Sequence, residues 1–480
     1  MGGTVKRLSG WDAMLLYSEA PNVHTHTLKV AVIDTSDSAR DFTFELFRRT
    51  LHRRLHVLEP LRYRLVGIPL GLHHPMWLEN CEIDLDYHVR RVRVPDPGGR
   101  RELDRAIGEV ASTPLDRSRP LWEFHFVEGM AGGPFAVIGK VHHALADGVA
   151  SANLLARALD ATAALDERDS YSPCAPPSTW ELLREAGRDH AQQLRQLPGV
   201  VKDSVTGISR VRRRSRERGH HHDLARNFDP PPTFLNHVLS PRRTFASSTL
   251  SLAQVKQTSK QLGITINDLV LAMSAGALRE LLLSHDGTAG QPIIASVPTS
   301  TDTSSDRVTG NALSGMLVSL PVHIADPVER IRLTSAATRI AKENHQLLGP
   351  LMMGRWADYL PPPLAPPLFR WLSRREAQNK LMNVTVSNVP GPRERGRIAG
   401  ATMSEIYSVG PVTAGCGMNI TVWSYVDQLN ISVICDEHTL DEPHQVTAAM
   451  AHAFGEIRSA AGLSADLDRV ASAMAPATVV

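Results

Sequence analysis

The chain has 480 residues, 42% hydrophobic and 21% charged, with a formal net charge of only +2. It is too long for one ordinary core, so two domains are expected, and no strong global field steers it to nucleic acid. Four scattered cysteines, Cys81, Cys174, Cys416 and Cys435, form no CxxC pair, which disfavours a zinc ribbon or a disulfide framework and suits reduced thiols in a cytoplasmic setting. The opening "MGGTVKRLSGW" has no apolar signal-peptide stretch, and Lys6 stands where a myristoylation signal wants Ser or Thr. No run approaches the eighteen apolar residues of a membrane span, so any membrane contact is expected to be peripheral.

In chain order, "TLKVAVID" (27–34) reads as a strand and "DFTFELFRRTLHRRL" (41–55) as a helix. "PFAVIGKV" (134–141) follows a Gly-Gly turn and reads as a strand, and "ASANLLARALDATAAL" (150–165) as a helix. From about 172 to 240 the pattern changes: "SPCAPPST" is loop-like, "RVRRRSRERGHHH" (210–222) is basic, and "DPPPT" (229–233) punctuates. A solvated linker face is the preferred reading of the basic run, over contact with acidic headgroups or a phosphorylated substrate. "TINDLVLAMSAGALRELLLS" (265–284) reads as a helix capped by Thr265, with Asp268 completing a capping box. "PIIASVP", "LVSLPV", "NVTVSNVP", "NITVWSY" and "LNISVIC" are strand candidates, and "EPHQVTAAMAHAFGEIRSA" (442–460) a late helix. "LPPPLAPPLFRWLSRRE" (360–376) is either an interfacial segment that leans on lipid or a proline-started helix packed on its own domain. The expected architecture is mixed α/β: an N-terminal domain at 1–190, a connection at 191–240 and a C-terminal domain at 241–480.

"KVHHALADGVA" (140–150) concentrates the chemistry. Adjacent histidines in a strand point to opposite faces, so His142 and His143 make a poor joint metal arm, and no metal is expected. The pairs His24/His26 and His73/His74 and the run His220–His222 lack a following Asp-Gly and read as surface or structural. Strand parity puts His143 on the apolar face of Phe135, Val137, Gly139 and Val141, where Gly139 leaves space for something to approach. An imidazole there is a candidate general base. Asp147 can bond backbone N–H groups at the following helix start or pair with an arginine, Arg62 being one candidate, and Gly148 permits a tight backbone.

"HHALADG" resembles the HHxxxDG motif of the acyltransferase superfamily with the chloramphenicol acetyltransferase-like fold. The surroundings are similar to the bacterial wax ester synthase/diacylglycerol acyltransferase family: "RLSGWDAMLLYSEAPNVHTHTLKVAVID" (7–34), "CEIDLDYHVRRVRVPDPGG" (81–99), Pro120-Leu121-Trp122, Asn267-Asp268, "TGNALS" (309–314) and "NVTVSNVPGP" (383–392). The resemblance implies two chloramphenicol acetyltransferase-like domains with the site at their junction. It implies an acyl-CoA-dependent O-acyltransferase, with acyl-CoA as co-substrate, no other cofactor, and diacylglycerol or a long-chain alcohol as acceptor. It would lie peripherally on a membrane or lipid droplet. The rivals are a carrier-protein-dependent condensation-type enzyme and a silent lipid-surface protein.

On that reading the catalytic group is His143 as base, with His142, Asp147 and Gly148 in its loop. Asn267 is either an oxyanion donor beside a helix N-terminus or, with Asp268, only a cap. Trp122 reads as core or acyl-channel wall. Together with Asp268 and the site-shaping Ser387 and Asn388, it makes up the expected substrate-binding set.

Overall fold

"HTLKVAVID" is apolar on nearly every second residue and β-branched throughout its middle, and it forms the strand His26–Asp34, buried at every position but Asp34. Burial on both faces marks a central strand with layers on each side. A computed structural model describes residues 5–36, 42–159, 175, 177–219, 221–302, 304–375, 381–398, 401–470 and 474. The strand lies within a six-stranded sheet ordered Arg397–Ile398, Ala401–Val409, His26–Asp34, Phe135–His142, Trp122–Glu128, Val89–Arg93. A second six-stranded sheet is ordered Leu313–Leu320, Ile293–Ser300, Val384–Val389, Met418–Tyr425, Gln428–Asp436, Arg243–Ser251. The strand candidates from the sequence all fall on these elements. The helices Phe44–Arg54, Ile266–His285 and His444–Ala460 also lie where periodicity puts them, and Thr265 and Asp268 form the expected capping box.

Three departures have physical reasons. The strand Ala401–Val409 comes from the second half but pairs antiparallel with His26–Asp34, Ile406 opposite Ala31 and Val409 opposite Leu28. Residues 241–480 therefore do not close on themselves. A bulge between Met403 and Glu405 breaks the period of two, and the buried Glu405 hides the strand character of "ATMSEIYSV"; its carboxylate is held by Arg100 at 2.6 Å and by the Tyr407 hydroxyl.

Second, the expected 190/191 boundary falls inside one helix of 40 residues, Thr179–Arg218, which carries Pro198 in its interior. Ser178 and Glu181 box its start. The basic run forms its last turns, with Arg214 and Arg218 both paired to Glu343 on the helix Pro327–Leu348. Proline and clustered charge made this stretch read as linker; packing on a second helix overrides both. Third, the helix expected over 150–165 starts earlier, at Gly148, and is described to Leu159. Its remainder, half of "SPCAPPST" with Cys174, and His220 lie outside the described residues.

Candidate active site

The strand Phe135–His142 ends at the first histidine, and the helix Gly148–Leu159 begins five residues after the second. The loop between them is held from both sides. His143 N–H donates to Thr25 O at 2.8 Å. From the other half of the chain, Gly310 N–H donates to Leu145 O at 2.7 Å, and Asp147 N–H to Gly310 O at 3.3 Å. Gly310 has φ +76°, a conformation that favours glycine, so the glycine of "TGNALS" is what lets this loop lie against the histidine loop.

His143 is partly buried, and its Nδ1 lies 2.9 Å from Asn311 Oδ1. Asn311 Nδ2 donates to His143 O at 2.7 Å and to Asp12 Oδ1 at 2.6 Å. Loss of solvent pulls the His143 imidazole below its ordinary value, opposed by the negative charge of Asp147 and by the Asn311 contact. A depressed imidazole is unprotonated near neutral pH and free to accept a proton.

Asp147 is fully buried and does bond the helix start, accepting from Val149 N and Ala150 N at 3.0 and 2.9 Å. It also accepts from Ala312 N at 3.0 Å. Its arginine is Arg307, whose Nη2 stands 2.9 Å from the carboxylate. Arg62 is not its partner: that guanidinium donates to Asn80 and to His56 O. Long sequence separation hid Arg307; no local spacing links 147 to 307. Gly148 does not serve a tight backbone, since its φ is not left-handed and a Cβ there would meet nothing within 4 Å.

His142 is placed for structure rather than proton transfer. Its Nδ1 accepts from Ala144 N at 3.0 Å, and its Nε2 lies 3.0 Å from the Thr25 hydroxyl, which itself donates to Leu15 O. Both ring nitrogens are thereby spoken for. Trp122 is core, not a substrate wall: it is fully buried, donates Nε1–H to Leu61 O at 2.7 Å and stacks on His88. The space at Gly139 is taken by Phe124, whose ring edge would meet a Cβ at 2.8 Å. His24, His26, His73 and His74 are buried and hydrogen-bonded, which makes them structural.

The remaining residues gather at one end of the second sheet. The helix Ile266–His285 runs into the strand Ile293–Ser300 that follows it, so its N-terminus with Asn267 returns to the Ser300 end. Val384–Val389 runs parallel to Ile293–Ser300, with Thr385 opposite Ser296, which brings Ser387 and Asn388 to the same end. Thr301 N–H donates to Ala312 O at 2.7 Å, and that joins this end to Asn311 and His143. A cavity of about 640 Å³ lies beside the Ser300 end of that strand, lined in part by Thr299, Thr301, Met316, Lys342 and His345; His143, Asn311, Asn267, Ser387 and Asn388 are not among its lining residues. Asp268 is bound to Thr265 as a cap. Asn267 makes no side-chain hydrogen bond among the described residues, to His143 or to any other group. Among those residues no group of three or more His, Cys, Asp or Glu converges as metal ligands would.

The sequence profile of the wax ester synthase/diacylglycerol acyltransferase catalytic domain matches residues 8–270, and that of the corresponding C-terminal domain matches 309–458. A Mycobacterium tuberculosis H37Rv relative, provisionally named a diacylglycerol O-acyltransferase, is 56% identical over 98% of this chain and 100% of its own length. Another from that strain, named likewise, is 36% identical over 90% of this chain and 92% of its own. The solved wax ester synthase/diacylglycerol acyltransferase from Marinobacter aquaeolei VT8 matches at TM-score 0.65 and 25% identity, covering 95% of this chain and 100% of that one. The first condensation domain of the calcium-dependent antibiotic synthetase matches at TM-score 0.60, covering 97% and 98% of the two chains, and at 16% identity speaks for the fold alone.

Proposed function

Because this chain belongs to the wax ester synthase/diacylglycerol acyltransferase family, we infer that it is an O-acyltransferase making triacylglycerol or wax esters, and we propose that His143 is its general base. The observation that carries this is the His143 ring, held through Nδ1 at 2.9 Å by Asn311 with Nε2 left over for the substrate hydroxyl. His143 Nε2 takes the hydroxyl proton as the acceptor oxygen bonds to the thioester carbonyl carbon. The tetrahedral adduct then expels the CoA thiolate by breaking its C–S bond, and the thiolate takes the proton back from the imidazolium. The balance closes with acyl-CoA as co-substrate and no further cofactor. Asn267, at a helix N-terminus and with its amide uncommitted, is the proposed donor to the oxyanion. Ser387 and Asn388, at the same end of the second sheet, are the proposed site-shaping residues.

The test is the purified protein with palmitoyl-CoA and equal diacylglycerol and hexadecanol, with products separated by thin-layer chromatography. Ester formed from free acyl-CoA supports the reading. No product with free acyl-CoA, or lipid binding without turnover, overturns it in favour of a carrier-dependent enzyme or a silent lipid-surface protein. In the same assay Asn267→Ala lowers kcat by about 10²- to 10³-fold; an unchanged rate reduces Asn267 to a helix residue.

We also propose that the acceptor is met at a lipid surface. No single helix among the described residues is long and apolar enough to cross a membrane. The helix Ala365–Ser373 buries only Ala365 and Ser373 and turns Leu368, Trp371 and Leu372 outward. Arg370, Arg374 and Arg375 stand exposed beside them, Arg375 over the Trp371 ring. Apolar side chains ringed by arginine suit an anionic interface. Replacing Leu368 and Trp371 together by Ser weakens binding to phosphatidylglycerol-containing vesicles about tenfold or more. Sedimentation with unchanged vesicle binding would move the contact elsewhere.

A further inference from the structure

We propose that Asn311 and Asp12 are positioning residues for His143: Asp12 fixes which way the Asn311 amide faces, and Asn311 fixes which ring nitrogen of His143 carries the proton. This rests on the reading of His143 as base and deepens it. An amide can be turned end for end, and its neighbours decide. Here the Asn311 nitrogen faces two oxygens, Asp12 Oδ1 at 2.6 Å and the His143 carbonyl at 2.7 Å. A carbonyl only accepts, and so does an ionised carboxylate, so the group facing both is the NH2 end. The other end, Oδ1, then faces His143 Nδ1 at 2.9 Å. An amide oxygen only accepts, so Nδ1 must carry the hydrogen, and the lone pair is left on Nε2.

Asp12 is itself fixed. It is buried in the first turn of the helix Gly10–Ser18, where its backbone N–H donates to Ser9 Oγ at 3.1 Å and its Oδ2 accepts from Ser9 N at 3.3 Å. The helix start lies directly on the second half of the chain, with Gly10 N donating to Asp358 Oδ1 at 2.6 Å. Burial pushes Asp12 up to about 6, against the pull of its hydrogen bonds from Ser9 and Asn311 and with some help from the charge of Asp147. Above that pH it is an acceptor alone, and the amide has one allowed orientation. The charged or titratable groups around His143 are then Asp147 and His142 on its own loop, Asp12 from the first helix and Arg307 from the loop that carries Asn311. Among the described residues Asn311 is the side chain hydrogen-bonded to Nδ1, and His143's own backbone also favours the protonated ring.

The test uses full-length protein labelled with 15N-histidine, the His143 signals being assigned by their loss in His143→Ala. Wild type shows the Nδ1–H tautomer. Asn311→Leu removes the acceptor, mixes the tautomers and lowers kcat by about 10- to 10⁴-fold, the range for losing a group that orients a functional histidine. It also moves the acid limb of the kcat/KM–pH profile to lower pH, because the contact that favours protonated His143 is gone. Asn311→Asp places a carboxylate at Nδ1, retains the Nδ1–H tautomer and moves the limb to higher pH. Asp12→Asn, which keeps the shape of the helix start, leaves the His143 carbonyl as the one obligate acceptor for the amide and mixes the tautomers in part, less than Asn311→Leu does. Unchanged nitrogen shifts in Asn311→Leu, or limbs that do not separate in opposite directions, overturn the role of Asn311; unchanged shifts in Asp12→Asn overturn that of Asp12. If His143→Ala stays active, the base assignment fails instead, and the tautomer measurement still decides the orientation.

Discussion

Replacing His143 by Ala lowers turnover of acyl-CoA with diacylglycerol by about 10²- to 10⁴-fold, the usual worth of a positioned general base, while the KM for acyl-CoA stays within a few-fold. The loop survives the change, because its anchors are backbone groups: Thr25 O below and Gly310 across. The cost to stability is the stranded Asn311 Oδ1, about 1–3 kcal/mol if water does not reach it. The wild-type pH profile gives a second check. A base works only unprotonated, and burial pulls His143 down. Activity is therefore complete in the neutral range and is lost as pH falls through a value below the ordinary imidazole value of about 6.5. Folded His143→Ala protein with near wild-type turnover would remove the base from the mechanism altogether.

Replacing Arg307 by Ala destabilises the fold by about 3–5 kcal/mol, the range for breaking one side of a buried ion pair. Asp147 has no exposed surface and stays behind. The backbone N–H groups of Val149, Ala150 and Ala312 still bond it, so the loss belongs at the lower end. Arg307 Nη1 also donates to Gly310 O at 3.0 Å, so its removal loosens the loop that carries Asn311, and kcat falls with stability. Urea denaturation measures the first effect and the acyl-transfer assay the second. The double variant Arg307→Met with Asp147→Asn loses less stability than the two single changes added together, because no charge is left unpaired. An Arg307→Ala protein of wild-type stability and rate would show that the pair holds nothing.

The legible part of the molecule was local. Cap residues such as Thr265 with Asp268, alternating strands and the HHxxxDG spacing all act over a few positions. Parity favours His143 over His142, and the two rings differ in their contacts: His142 is tied to Thr25 and Ala144, and His143 to Asn311. What sequence could not supply was long-range. Arg307 reaches Asp147 across 160 positions, and Asn311 reaches Asp12 across 299. "TGNALS" was recognisable as a segment, but its asparagine had no visible task until it lay beside the ring. Arg62 had a suitable charge and satisfied Asn80 instead. Trp122 stood in a shared motif, and its indole turned out to be a packing element with a backbone acceptor. Gly139 marked a close approach correctly, but the approaching group was the neighbouring Phe124.

The strand Ala401–Val409 has a consequence for how the chain is made. His26–Asp34 pairs on one side with Phe135–His142, from the same half of the chain, and on the other with Ala401–Val409. At ribosomal speeds of roughly 5–20 residues per second, that second partner arrives roughly 10–50 s after the first. For that interval the nascent first half carries an open, apolar sheet edge through Leu28, Val30 and Val32, the kind of edge that recruits other strands. Sheltering that edge on the ribosome until the last part of the chain emerges is therefore a separate requirement for folding, beyond the stability of the finished molecule.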